Sequence, residues 1–523
     1  MVAITCTAAL SNACFAGVSQ LEVDAALEAA GANRSQIEQF LAHYGSGDEQ
    51  KRDAARWLVA NMPGHGFVEY ALRNPSGEAI PFSFADYPSL EAAQLRLDEL
   101  EKQHGPVDFK PEPLSSDLEH ITAAFLIDNH DQAFATWRTT PWLREVAFAD
   151  FLEFILPYRA TNEPLAPGWR AAARSRISGN LAALGSSPTL AQVAQCAVDS
   201  GHAWCAFSDR YYMHPRDQNY DDMVATSTGR CEDITNMIQF AARAAGAMVA
   251  SDFTPWWANR DNNHAWEVLV DARGNGTAPL SNTAAKVYRK CFGVQSGALG
   301  AVKDPADSVP GFLKSRTVRD VTAQYTPVSD VTVALRAPPG AFADKVPIKF
   351  VYLAVFNGGV WRPIAWALPE GGSATFHGMG RGILYMPVWA DADDACAAGA
   401  PFILTAAGGV DEIEVNAAAA SLGQSTSIEA TTAVPATPDA DTHRTKPRVV
   451  IAPDKEYELF VWASDGGDGG APGWHSLGVR APDSSAPLQF TGAHPRALYW
   501  LKASDGRDLE RPFTLDGSAQ VMH

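Results

Sequence analysis

The chain has 523 residues, too many for one ordinary hydrophobic core, and its length suggests about three domains. Hydrophobic residues make up 46% and charged residues 19%, a balance that buries real cores and reads as globular. The 41 basic residues against 60 acidic ones give a formal charge of −19 with no Lys/Arg run to break it, which argues against a nucleic-acid or anionic-membrane partner.

Residues 1–17 are apolar, small and uncharged, like an export h-region, yet no Lys or Arg precedes them. Two readings stand: residues 1–20 are an export-signal remnant or mis-called start of a periplasmic or extracellular protein, or they are the frayed first helix of a cytoplasmic one. No later segment has 18 uninterrupted apolar residues, so a membrane span is not expected. From residue 21 to 187 the pattern is helical. Leu21 to Ala30 comes first, then a helix capped by Ser35 with Glu38 three residues on and Ile37, Phe40, Leu41 and Tyr44 at helical spacing. Further helices are expected at Glu49 to Asn61, stopping at Pro63-Gly64, and near 89–103, 118–129 and 142–156.

A core of mixed α+β character is expected over 188–315. A helix begins after Pro188, with Leu190, Val193, Ala194 and Ala197 in phase. Cys231 to Gly246 is the clearest helix of the chain: Ile234, Met237, Ile238, Ala241 and Ala245 form one stripe, Glu232 and Asp233 complement the dipole, and Gly246 terminates it. Strands follow at Met248 to Phe253 and His264 to Val270, then a turn through Gly274 and Gly276 and a short strand near Thr277 to Leu280. Beyond 316 the pattern is all-β and repeated. Val351 to Phe356, Trp361 to Ile364, Ala374 to Phe376, Gly382 to Tyr385 and Pro401 to Leu404 recur in order as Tyr457 to Phe460, Trp474 to Leu477, Leu488 to Phe490, Arg496 to Trp500 and Pro512 to Leu515. This predicts two sandwich-like β-modules, 316–415 and 447–523, joined by a linker or mobile loop over 416–446.

The chemistry-bearing stretch is Gly229-Arg230-Cys231-Glu232-Asp233-Ile234-Thr235-Asn236, followed by Asn263-His264-Ala265-Trp266-Glu267-Val268 with its histidine 33 positions after the cysteine. A lone cysteine at a helix start is most simply a buried small residue. Followed by a histidine that opens a strand, it reads as a thiol nucleophile whose base comes from a separate element. A helix amino terminus and a nearby imidazole both favour the thiolate. The other cysteines, Cys6, Cys14, Cys196, Cys205, Cys291 and Cys396, show no CxxC spacing and are too few for a disulfide scaffold. HExxH, GxSxG and Walker patterns are absent, and the Gly-rich stretches at 371–372 and 466–470 do not precede helices, so no metal, nucleotide or other cofactor is called for.

The stretch GRCEDITNMIQFAARAAGAMVASDFTPWWANRDNNHAWEVLVDARGN resembles the core of the transglutaminase-like superfamily, papain-related in fold, which includes transglutaminases, peptide N-glycanases and bacterial cysteine peptidases. More closely, the chain resembles large bacterial transglutaminase-domain proteins, many of them exported, through AGANRSQIEQFLAHY, NMPGH, ILPYRATNEPLAPGWR and the β-repeats. The resemblance covers most of the chain. It implies that Cys231 is the nucleophile and His264 the general base and acid. Members usually carry an Asp on the strand after the histidine strand, but residues 277–282 contain none. Asn282, by analogy with the amide of papain-like enzymes, and Asp271, seven residues after His264, are the candidates to orient the imidazole; Asp271 is equally read as the first residue of a turn.

Acyl chemistry also needs oxyanion donors, for which the Cys231 N–H and an indole N–H of Trp256 or Trp257 are candidates, the tryptophans being packing residues otherwise. Asp252 and Asn263 are read equally as pocket-lining groups or strand-end hydrogen-bonders, and Glu267 is a candidate substrate-binding residue. Arg159 and Glu163, grouped with Tyr158, Trp169 and Arg170, form either a structural ion pair or one wall of a substrate cleft. The expected function is a cysteine hydrolase or acyltransferase acting on a peptide or glycopeptide amide. The alternatives are a glycoside hydrolase using two of Asp233, Asp252, Glu267 and Asp271 with sugar-stacking tryptophans, and a non-catalytic glycan- or peptide-binding protein acting through the β-modules.

Overall fold

A computed structural model describes residues 17–523 apart from 305–306, 339–348, 393, 414–423, 429, 433–448, 452–454, 464–471, 483–487, 494–495, 504–510 and 517–518. The export-signal segment therefore lies almost wholly outside the described residues. The described chain divides into two compact units, one running to Ala250 and including Leu269–Asn275, the other comprising Ser251–Val268 and Gly276–His523. No helix among the described residues is long and apolar enough to cross a membrane.

The first unit is mostly helical. Its first helix, Gln20–Ala29, is closed by a capping box: Ser19 Oγ accepts from Glu22 N, and Glu22 Oε2 accepts from Ser19 N at 2.8 Å. The cap expected at Ser35 is displaced, because the helix Arg34–His43 begins two residues earlier than that cap implies, after Asn33. Asn33 does not cap it; its amide donates instead to the Leu118 and Ile121 carbonyls. Glu49–Asn61 forms over the expected residues, with Asp48 as its cap. The helix expected over 118–129 is two, Asp117–His120 and Ala123–Thr139, because Thr122 Oγ1 starts the second by accepting from Phe125 N. That expected over 142–156 is a 3-10 turn at Pro141–Leu143, a short turn at Phe148–Asp150 and a π-helical turn at Phe151–Ile155.

Cys231–Ala245 is the axis of this unit. One apolar stripe was expected, yet every residue from Asp233 to Ala245 is buried, because helices Trp169–Ala183 and Leu190–Trp204 pack against it. Gly201 permits the closest approach: a Cβ there would stand 2.3 Å from Ile238 Cγ1. Gly246, at φ +76°, ends the helix as expected. The polar residues this burial encloses are held by a second group of polar residues. Arg170 donates to the Arg243, Ile155, Leu156 and Pro157 carbonyls and so neutralises the negative ends of two helical segments.

A four-stranded sheet runs in the order Val318–Asp320, Tyr288–Lys290, Val249–Thr254, His264–Leu269. The short strand expected near 277–280 does not form, since Pro279 lacks an N–H for a ladder, and pairing resumes at Tyr288–Lys290. The β-repeat is visible in the pairing itself. Val351–Asn357 pairs with Val360–Ala367 and Ile383–Ala390, and Ile383–Ala390 with Phe402–Leu404. Likewise Tyr457–Ala463 pairs with Gly473–Arg480 and Tyr499–Ala503, and Tyr499–Ala503 with Phe513–Asp516. In each copy a two-stranded sheet supplies the second layer: Val328–Ala334 with Ser373–Gly380, and Gln424–Ile428 with Leu488–Ala493. Residues 424–428, expected in a linker, are thus the first strand of the second copy, and 430–432 pair with 449–450; the rest of 416–446 is outside the described residues. Phe356 and Trp361 of the first copy meet Trp462, Trp474 and Trp500 of the second at ring-centroid distances of 5.2 to 6.0 Å.

Candidate active site

Cys231 is the first residue of its helix, and local sequence explains why the helix starts there. Thr228–Gly229 pairs in parallel with Ala206–Phe207, and Gly229 is buried where a Cβ would lie 2.5 Å from Asp233 Cβ. Asp233 closes the first turn: its carboxylate accepts from Arg230 N at 3.0 Å and Gln218 N at 2.8 Å. Burial, and then the charge of Asp217, push the Asp233 carboxyl up to about 6 against the pull of Arg230. Arg230 is in turn paired with Asp217. Cys231 is half-buried, and its thiol donates to Glu232 Oε2 at 3.0 Å. None of the five described cysteines is in a disulfide. Burial pushes the Cys205 thiol up to about 12 and Cys396 to about 11, which keeps both protonated near neutrality.

His264, half-buried in the second unit, opens its strand as expected. Its ring centroid lies 5.2 Å from Trp266 and 6.1 Å from Trp257, and the two indoles are parallel within 8°. Trp266 Nε1 donates to Tyr325 Oη at 3.1 Å, and Tyr325 donates to Asp252 Oδ2 at 2.6 Å. Arg289 grips both oxygens of that carboxylate, at 2.7 and 2.8 Å. Burial and the Asp252 charge hold the Tyr325 hydroxyl above its ordinary range.

Several expected binding residues turn out to be structural. Asp252 is fully buried with both oxygens occupied, so it lines no pocket. Trp257 is 2% exposed and packs with Trp266 and Val268, which leaves the half-buried Trp256, under the Arg362 guanidinium, as the accessible indole of the two. Arg159 and Glu163 are both buried, and the charge of each acts on the other, but their hydrogen bonds go elsewhere. Arg159, 2% exposed, takes both oxygens of Asp117, while Glu163 accepts from the backbone of Ala160 and Thr161. Glu267 is half-buried and Asn263 exposed.

Asp271 adopts its turn role: it is exposed, and Oδ1 accepts from Arg273 N and Asn275 N at 2.8 and 2.9 Å. Asn282 is half-buried and donates to the neighbouring Ser281 Oγ at 3.4 Å. Glu232, which accepts a hydrogen bond from the thiol, was named from sequence only as a first-turn acid, and Tyr325, Asn357 and Arg511, which support the histidine strand and its loop, were not singled out. Glu232 adjoins the cysteine and was legible as its neighbour; the others lie 61 to 247 positions beyond His264 and carry no local signal. Compared with models of known protein families the chain matches none, and no curated protein matches it, so the transglutaminase-like resemblance rests on the motifs themselves.

Proposed function

We propose that this protein is a transglutaminase-like thiol hydrolase or acyltransferase that cleaves or transfers a peptide or glycopeptide amide through a thioester on Cys231. The observation that carries the reading is the placement of Cys231: a half-buried thiol at the first position of a 15-residue helix, where the positive end of the helix dipole favours negative charge. In the proposed cycle His264 takes the thiol proton as sulfur bonds to the amide carbonyl carbon. The tetrahedral oxyanion is met by N–H donors of the first helical turn. The C–N bond then breaks, the amine leaves with the proton from the imidazolium, and water or a second amine displaces sulfur, which recovers a proton. Asp271 and Asn282, each engaged locally, lend no support as orienting groups; the indole pair beside His264 restrains its ring by packing.

The carboxylate-based glycosidase draws less support, because Arg289 takes both oxygens of Asp252 and the backbone of its helix turn holds Asp233, which leaves the exposed Asp271 and the half-buried Glu267 of the four carboxylates. Treating the folded chain with an amide-directed electrophile and mapping adducts by mass spectrometry tests the reading. Label is expected at Cys231 and lost in His264→Ala; labelling that is equally fast at Cys196 or Cys291 would sink it.

A further inference from the structure

The loop that delivers His264, residues 256–263, contains a backbone conformation that residues other than glycine seldom adopt. Asn262 has φ +79°, and its N–H and C=O are both held by one side chain. Asn357 Oδ1 accepts from Asn262 N at 3.2 Å, while Asn357 Nδ2 donates to the Asn262, Arg260 and Trp257 carbonyls at 3.0 to 3.1 Å. Asn357 is 2% exposed and ends the strand Val351–Asn357 of the first β-copy, and the next residue, Gly358, donates its N–H to Asp261 Oδ1 at 2.7 Å. A second buried group comes from the other β-copy. Arg511, also 2% exposed, donates to the Ala258 carbonyl and the Phe356 carbonyl, each at 2.6 Å, and lies 3.5 Å from Asp261 Oδ1.

The loop thus has its turns fixed from outside itself. An αL residue persists where the surroundings over-determine it, and such sites cluster beside functional groups. Trp257, whose carbonyl Asn357 holds, is also one of the two indoles against the His264 ring. A shift of the loop therefore moves both the backbone leading into His264 and a wall of its ring.

We propose that Asn357 and Arg511 are positioning residues that set the placement of His264, making the two β-copies part of the proton-transfer apparatus. This rests on the thiol–imidazole reading above. The test is the rate of Cys231 alkylation by iodoacetamide in the full chain, mapped by mass spectrometry and followed against pH. The set comprises wild type, His264→Ala, Asn357→Asp, Arg511→Lys and, as a control for general loosening of the first β-core, Val333→Ala. Asn357→Asp keeps the acceptor for Asn262 N and removes the donor to three carbonyls.

In both positioning variants the neutral-pH rate is expected to fall about 10- to 100-fold, the scale of an ångström-sized misplacement, with the pH profile moving toward that of His264→Ala. Val333→Ala should keep the wild-type profile. If His264→Ala changes the profile while folded Asn357→Asp does not, the positioning role is overturned and the thiol–imidazole reading stands. If Val333→Ala reproduces the loss, the effect is mere destabilisation and the proposal falls. If His264→Ala matches wild type, the thiol–imidazole reading fails, and the positioning role with it. Should Arg511→Lys not fold, Asn357→Asp decides alone.

Discussion

The thiol end and the imidazole end of this protein are organised on different scales of sequence. Around Cys231 the shaping contacts are short-range: Asp233 with Arg230, Gln218 with Asp233 across 15 positions, Gly229 beneath Asp233. The loop before His264 is shaped by Asn357, 95 to 100 positions away, and by Arg511, 250 or more away. One end is close to self-specifying; the other is built by residues that gain their meaning only after the chain has folded. Local substitutions should therefore disturb the thiol end, and distant ones the imidazole end.

The largest expected effect is chemical. Cys231→Ala should abolish capture of an amide-directed electrophile and lower any amidase rate about a thousandfold or more. Urea unfolding of the same variant should stay within about 1 kcal/mol of wild type, since the thiol is only half-buried and alanine suits a helix. A variant that loses stability and keeps activity breaks the assignment of the thiol end.

Next comes Arg159→Ala, which tests whether that end is wholly local. Removing Arg159 leaves Asp117 buried without its countercharge and frees the Gly66 and Thr161 carbonyls, so a loss of about 3–5 kcal/mol is expected in chemical unfolding. Normal stability together with a selective loss of turnover would restore the cleft-wall role that its burial argues against.

A pH experiment sharpens the account of the helix cap. Asp233, ordinarily near 3.8, is raised to about 6 in the fold, so folding favours its protonated form. Its stabilising contribution is complete below 3.8 and is lost as pH rises through about 6, by at most about 3 kcal/mol. The stability advantage of wild type over Asp233→Asn should shrink across that window; an advantage that grows with pH contradicts it. Gly229→Ala places a methyl 2.5 Å from Asp233 Cβ and should cost about 1–3 kcal/mol with the same helix shifted. Smallest is the loop: Asn262→Gly should be neutral within about 0.5 kcal/mol and Asn262→Ala should cost about 1 kcal/mol, because alanine resists positive φ. Equal stabilities for the glycine and alanine variants would mean the αL conformation is not imposed on the loop.

What sequence made legible follows the same divide. The helix from Cys231 and its Gly246 stop were readable because dipole, periodicity and terminator all lie within 16 residues. The break of the expected 142–156 helix, which falls at residues 144–147, was not, because no glycine or proline marks it in the sequence. Gln424–Ile428 reads as linker because QSTSI has one large apolar residue, yet Ile428 is fully buried in the second β-core and pairing with Leu488–Ala493 supplies the rest. The third member sought beside His264 illustrates the limit: Asp271 had the right chemistry at a plausible spacing, but its own turn amides took the carboxylate first.

The long reach of Arg511 also has a consequence in time. Translation at about 5–20 residues per second separates Ala258 from the arginine that caps its carbonyl by about 10–50 seconds. During that interval a nascent chain carries Cys231 on a helix with its local partners already synthesised, and His264 on a loop still lacking its buried arginine. Biosynthetic order would thus leave the imidazole end as the later of the two to mature, a delay useful to any enzyme whose thiol is better kept idle until its chain has left the ribosome.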